Sequence, residues 1–116
     1  MKTGSEKVMR ENRKILFDCV EGSVPICLSG ILFIEAYGHK NTIHTDTRDY
    51  HIYEYMDSLE QRLSGEGFVR VHRSYIVNPK HVANINNYMI TLDDGSEIPV
   101  PKARYKNVKE MILQGI

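Results

Sequence analysis

Arg70, His72, Arg73 and Ser74 crowd one short run of the chain, F-V-R-V-H-R-S-Y-I-V-N from Phe68 to Asn78. Val69 and Val71 alternate with Arg70 and His72, so the run reads as a half-buried strand with its apolar side chains on one face. The polar row goes to the other face or to the strand end. Tyr75, Ile76 and Val77 return the chain to a core, and Asn78-Pro79 closes the segment with turn residues. Arginines and a histidine packed this densely add little to the stability of a small fold, but their donors suit an anionic partner. Arg offers a planar fork for phosphate or guanine, and Ser and His add neutral hydrogen bonds. For an isolated R-x-x-R, the alternative is an ordinary solvated strand face.

Two other places carry comparable donors. The loop Gly38-His39-Lys40-Asn41 presents His39 and Lys40 outward, unless it is a plain hairpin turn. Near the C-terminus, V-P-K-A-R-Y-K opens a helix from about Pro101, since Pro is tolerated at a first helical position. Tyr105, Val108 and Ile112 make its apolar face, and Lys102, Arg104, Lys106 and Lys109 populate the others. Cations in the first turns oppose the helix macrodipole, a small cost that hints at an external anion.

Enzymatic chemistry has no comparable candidates. Neither G-x-x-x-x-G-K-[ST], G-x-G-x-x-G nor G-x-S-x-G occurs, so no phosphate-cradling loop or nucleophile elbow is expected. The five histidines, His39, His44, His51, His72 and His81, lack H-x3-H or H-E-x-x-H spacing, and no C-x2-C accompanies them, which disfavours a metal site. Asp93-Asp94 precede a glycine, and turn chemistry accounts for them. The expectation is a protein that is no enzyme, with no cofactor and no small-molecule substrate.

Length and composition bound the rest. The 116 residues suffice for one domain, expected over 14–116, with 1–13 a polar linker or flexible segment. Hydrophobic residues make up 41% and charged residues 26%, ordinary for a soluble globular chain. No apolar run approaches the roughly 20 residues that span a bilayer, and nothing resembles a signal peptide. A cytoplasmic location with no membrane partner is the simplest expectation. Cys19 and Cys27 sit in strand-like runs and are expected as buried thiols rather than a disulfide, although a hairpin could bring them near one another. The net charge is zero, so any nucleic-acid binding must use a local patch. Residues 31–65 hold three basic and six acidic side chains, whereas 66–116 hold seven basic and five acidic.

These residues need a scaffold, and its signals are mainly β. I-L-F-D-C-V-E and V-P-I-C-L-S flank Gly22-Ser23 as a hairpin, and Pro25 puts the second strand at an edge or else lies at its start. I-L-F-I-E-A-Y, T-I-H-T-D and Y-H-I-Y-E-Y-M read as strands. Ser58 starts a short helix with a capping box to Gln61, packed through Leu59 and Leu63 and stopped at Gly65. Pro79-Lys80-His81-Val82 looks like one helical turn, A-N-I-N-N-Y-M-I-T-L like a strand run, and Asp94-Gly95 like a hairpin turn into S-E-I-P-V. The predicted fold class is mainly β, with several small antiparallel sheets of short strands and two or three short helices; no βαβ unit is indicated.

In this order, I-L-F-I-E-A-Y-G-H-K-N-T-I-H-T, S-L-E-Q-R-L, F-V-R-V-H-R-S-Y-I-V-N and L-D-D-G-S-E-I-P-V resemble the LytTR family of bacterial DNA-binding domains over roughly 14–113. The resemblance implies sequence-specific binding of double-stranded DNA by the output domain of a transcriptional regulator, often a two-component response regulator. It further implies that loops enter successive major grooves and bend the DNA, with promoter repeats as targets and a homodimer on tandem repeats. By position, the implied contacts are His39, Lys40, Arg70, His72, Arg73, Ser74 and Asn78, then the basic group before the last helix. That group departs from the family, with Pro101 where serine is usual and Lys102 where arginine is usual. Lys cannot make the bidentate guanine contact, so Lys102 and Lys106 are assigned to phosphate and Arg104 to base reading. His72 and Asn78 have structural alternatives, a backbone hydrogen bond that fixes the loop and a cap on the turn before Pro79. The competing function is a protein-interaction module that binds a partner by strand addition, without DNA.

Overall fold

The computed structural model describes residues 13–115. The predicted linker therefore lies almost wholly outside the described residues. Among the described residues, ten strands fall into two antiparallel sheets. The first is β1 (Lys14–Cys19), β2 (Gly22–Cys27), β3 (Ile31–Tyr37), β4 (Lys40–Thr45), β5 (Asp49–Ile52), β6 (Val69–His72) and β7 (Tyr75–Val77), in the spatial order β2-β1-β5-β4-β3-β7-β6. The second is β8 (Val82–Asn86), β9 (Met89–Leu92) and β10 (Glu97–Pro99), with β9 in the middle. Helix α1 (Met56–Ser64) joins β5 to β6, and α2 (Lys102–Gly115) follows β10. Single 3-10 turns lie at Leu28–Gly30 and Pro79–His81.

Around β3 the large sheet is covered on both faces, which is why that strand reads as a continuous apolar run, whereas β1 leaves Leu16 exposed. On one face Ile34, Ile43, Ile52 and Ile76 pack with Leu59 and Leu63 of α1. On the other, Phe33, Val69, Val71 and Val77 pack with Ile90, Leu92 and Ile98 of the small sheet and Val108 and Ile112 of α2. Val69 and Val71 are 4% and 0% exposed. A one-residue slip of β6 would take both out of this core and drive the Arg70 charge into it. Their burial thus fixes the register of β6 and sends Arg70 toward α1.

The mainly-β expectation holds, as do the edge position of β2 with Pro25, the single helical turn at Pro79 and the apolar face of α2. Several local details differ. The first hairpin turns at Val20-Glu21, with Cys19 opposite Gly22 and Cys27 opposite Lys14. That register puts the two cysteines at opposite ends of the hairpin, each half-buried rather than buried. Strand β5 stops at Ile52, and Met56, expected in that strand, opens α1. The capping box does not form. Tyr55 is the N-cap, and the Ser58 hydroxyl donates to Glu54 Oε2 at 2.7 Å instead. Gly65 follows α1 with ordinary helical φ, while Gly67 takes the left-handed conformation.

The run from Ala83 to Leu92 is two strands, not one. Asn87 and Tyr88 have φ of 50° and 60°, giving the two-residue primed turn that matches the strand twist. Asn enters that region readily; Tyr does so at about 1–2 kcal/mol. The Tyr88 ring gains contacts in return, lying 4.7 Å from the Tyr105 ring of α2, and its carbonyl accepts from the Val100 amide at 2.9 Å.

Candidate nucleic-acid interface

The β6–β7 turn, the β3–β4 turn and the start of α2 carry the basic residues singled out in the sequence. Register links the first two. The Ala36 amide donates to the Ser74 carbonyl at 2.9 Å, so Arg73-Ser74 and Gly38-His39 lie at the same end of the large sheet. The start of α2 joins them through Arg104, whose Nη2 donates to the Arg70 carbonyl at 2.8 Å.

The β3–β4 connection is tighter than expected. Tyr37 pairs with Lys40, leaving Gly38-His39 as a two-residue turn with Gly38 at φ 61°. His39 and Lys40 are exposed, and the Lys40 ammonium stands 5.9 Å from the Tyr53 ring centroid. Asn41, grouped with them in the sequence reading, is buried and donates to the Glu54 carbonyl. Tyr37, Tyr53 and Tyr55 flank this turn as exposed rings.

In the β6–β7 turn, the Ser74 amide donates to His72 Nδ1 at 3.0 Å. With Nδ1 accepting, a neutral ring carries its proton on Nε2. The imidazole also meets the Tyr75 ring edge-on at 5.5 Å. His72 therefore shapes the turn through its backbone, and Ser74 is half-buried beside it. Arg73 is exposed, and among the described residues its side chain has no hydrogen-bond or ion-pair partner.

Arg70 and Asn78 occupy different surroundings from those expected of surface contacts. The Arg70 side chain is 15% exposed, and its Nη1 meets Asp57 Oδ1 at 2.5 Å and Glu60 Oε1 at 3.0 Å. Its Nη2 donates to the Arg73 carbonyl at 2.6 Å. Burial alone would lower the Arg70 pKa; the hydrogen bonds and charges of Asp57 and Glu60 outweigh it and hold the value above the ordinary one. Asn78 is buried, donating from Nδ2 to the Ile31 carbonyl at 2.9 Å and the Leu28 carbonyl at 3.4 Å. Its Oδ1 accepts from the Lys80 amide at 3.2 Å, capping the 3-10 turn. Both side chains are turned into the domain.

At the start of α2, Lys102, Arg104 and Lys106 are all exposed, and the first turn holds no acidic residue. Lys102 stands 5.5 Å from the Tyr88 ring centroid, so the strained β8–β9 turn supports a cation at this end. Asp57, Glu60 and Tyr88 went unassigned in the sequence reading. Asp57 and Glu60, three apart on a short helix, are the sort of pair that could have drawn notice, but nothing local names Arg70 as their partner.

Residues 21–113 match the family described as the LytTr DNA-binding domain. The chain belongs to that family. This one is 33% identical over 87 residues to the transcriptional regulatory protein LytR of Staphylococcus aureus strain N315, covering 71% of the chain and 35% of LytR. It is 27% identical over 110 residues to the sensory transduction protein LytT of Bacillus anthracis, covering 90% of the chain and 45% of LytT. The chain thus spans less than half the length of these curated relatives. The LytTr DNA-binding domain of a Bacillus cereus protein has the same fold, with a TM-score of 0.72 at 23% identity, covering 87% of this chain and 96% of that one. No helix among the described residues is long and apolar enough to cross a membrane.

Proposed function

We propose that this LytTr domain binds double-stranded DNA sequence-specifically, as the output module of a bacterial transcriptional regulator of the two-component type, acting in the cytoplasm. The observation that carries this reading is the Arg73 turn. An exposed guanidinium with no partner among the described residues stands on a backbone held from several sides. A free fork on a fixed backbone is what bidentate guanine recognition requires. In this reading Arg73 addresses base edges, Arg104 reaches them with the donors that its bond to the Arg70 carbonyl leaves over, and Lys40, Lys102 and Lys106 address phosphates, with His39 and Ser74 beside them. His72 acts through the Ser74 amide, while Arg70 and Asn78 stay inside the domain. The turns enter successive major grooves and bend the duplex, and two copies occupy tandem promoter repeats.

Strand addition is the rival reading; two of the four edge strands among the described residues, β2 and β10, carry Pro25 and Pro99, each of which removes a ladder donor. Salt separates the two readings. DNA affinity falls steeply between about 50 and 200 mM salt, because each phosphate contact releases counterions. Strand addition responds little. Fluorescence anisotropy titration of a labelled duplex over that range makes the test, and affinity independent of salt would reject the DNA reading.

A further inference from the structure

We infer that Arg70 is a positioning residue, clamped by Asp57 and Glu60 of α1 so that it holds the Arg73-Ser74 turn in its DNA-reading position. The inference rests on the DNA-binding reading above and assigns Arg70 no contact with DNA.

The geometry behind it is a single guanidinium with its anchors on different elements. One terminal nitrogen lies against Asp57 and Glu60, and the other against the Arg73 carbonyl. The guanidinium is planar and rigid, so fixing one side against α1 fixes the direction from which the other side meets the turn. The turn needs such a hold. The β6–β7 ladder is irregular between Arg70 and His72, so regular strand pairing does not by itself set the backbone at Arg73. Its other ties are the His72–Tyr75 ladder pair, the Ser74 amide on His72 and the Ser74 carbonyl on Ala36. The Arg70 carbonyl in turn accepts from Arg104. Residue 70 thus joins α1 and the reading turn by its side chain, and α2 by its backbone. Its Nε is buried without a hydrogen-bond partner, which leaves no outward donor on that edge of the fork.

The acidic pair makes the inference sharp. Carboxylates on a DNA-binding surface repel phosphate, so removing them should tighten binding if charge alone matters. The clamp requires the reverse for the cognate duplex. The variants are Arg70→Gln and the double substitution Asp57→Asn with Glu60→Gln. The probes are a duplex that the wild-type chain retains from a random pool and a shuffled duplex of the same composition. Each is titrated by anisotropy between about 50 and 200 mM salt. Arg70→Gln is expected to lose about tenfold on the retained duplex and little on the shuffled one, with the wild-type salt slope kept. The acidic double variant is expected to lose affinity for the retained duplex while gaining it for the shuffled one. A salt slope reduced by about one in Arg70→Gln, with equal loss on both duplexes, would make Arg70 a phosphate contact and overturn the inference. Unchanged affinity in both variants, or tighter binding of both duplexes by the acidic variant, overturns it as well. If Arg70→Gln does not fold, the acidic variant decides, since Asp57 and Glu60 are 89% and 45% exposed.

Should the wild-type chain not distinguish the two duplexes, the DNA reading itself falls. Amide exchange then judges the clamp alone. Exchange at Ala36, whose amide bonds the Ser74 carbonyl, is expected to quicken in both variants, and unchanged exchange refutes the clamp.

Discussion

Replacing Asn78 with alanine tests whether this residue belongs to the fold or to the DNA surface. Its side chain makes one well-formed hydrogen bond, to the Ile31 carbonyl at 2.9 Å, and two longer ones, with the Leu28 carbonyl at 3.4 Å and the Lys80 amide at 3.2 Å. Losing the first and desolvating a buried carbonyl costs about 1–3 kcal/mol, and the two long bonds add about 1 kcal/mol together. The expected destabilisation of Asn78→Ala is therefore about 2–4 kcal/mol, a large part of the roughly 5–15 kcal/mol that holds a domain folded. In urea unfolding followed by circular dichroism, the midpoint falls by on the order of 1–2 M with an unchanged slope. Asn78→Asp is worse at neutral pH, because a carboxylate would face two carbonyl oxygens in a buried site. A surface contact behaves otherwise, with stability within about 0.5 kcal/mol of wild type and DNA affinity reduced. That pattern in Asn78→Ala would refute the structural assignment.

Other substitutions separate the roles at the interface and in the turns. Arg73→Ala should leave urea stability unchanged and weaken binding of a cognate duplex by about 1–3 kcal/mol in anisotropy titrations; wild-type affinity would remove Arg73 from base reading. Lys106→Ala should weaken cognate and shuffled duplexes alike and lower the salt slope by about one. Burial first, then the charges of Glu21 and Asp18, push the Cys19 thiol pKa up, so less thiolate is present at a given pH and alkylation is slow. Its rate profile should sit at higher pH than that of an ordinary cysteine and move down in Glu21→Gln. The Ser96 amide, opposed by partial burial and joined by the Ser96 hydroxyl, holds the Asp94 carboxyl below its usual pKa. The stabilisation this gives the β9–β10 turn is present above the unfolded carboxylate range, about pH 4, and is lost as pH falls through the lower folded value. In Asp94→Asn that part of the acid dependence disappears, as acid unfolding beside wild type would register.

The strands were legible because alternation, proline and turn glycines act locally. Pro25 allowed an edge position for β2, where the strand lies, because it cannot donate, whatever the neighbours are. The β8–β9 turn was hidden because its second residue is a tyrosine at positive φ, where the usual signal is glycine. Ser58 had the spacing of a cap but found Glu54 instead, since the helix begins two residues earlier, at Met56. Among candidate site residues, alternation showed that Arg70 faces away from Val69 and Val71. It could not show that this face carries α1, so solvent and Asp57 with Glu60 were indistinguishable. Asn78 posed the same difficulty, because its partners at Leu28 and Ile31 are some fifty residues earlier in the chain. Arg73, on a turn tip, was the easiest to place, since nothing non-local among the described residues competes for it.

Selection of retained duplexes from a random DNA pool by the purified chain, followed by sequencing, tests the central claim most directly. Sequence-specific reading by the turns predicts a recurring short motif, paired at a spacing of about one helical turn, and loss of that motif when Arg73→Ala is used in the selection. Retention without any motif, or no retention even at low salt, would contradict it.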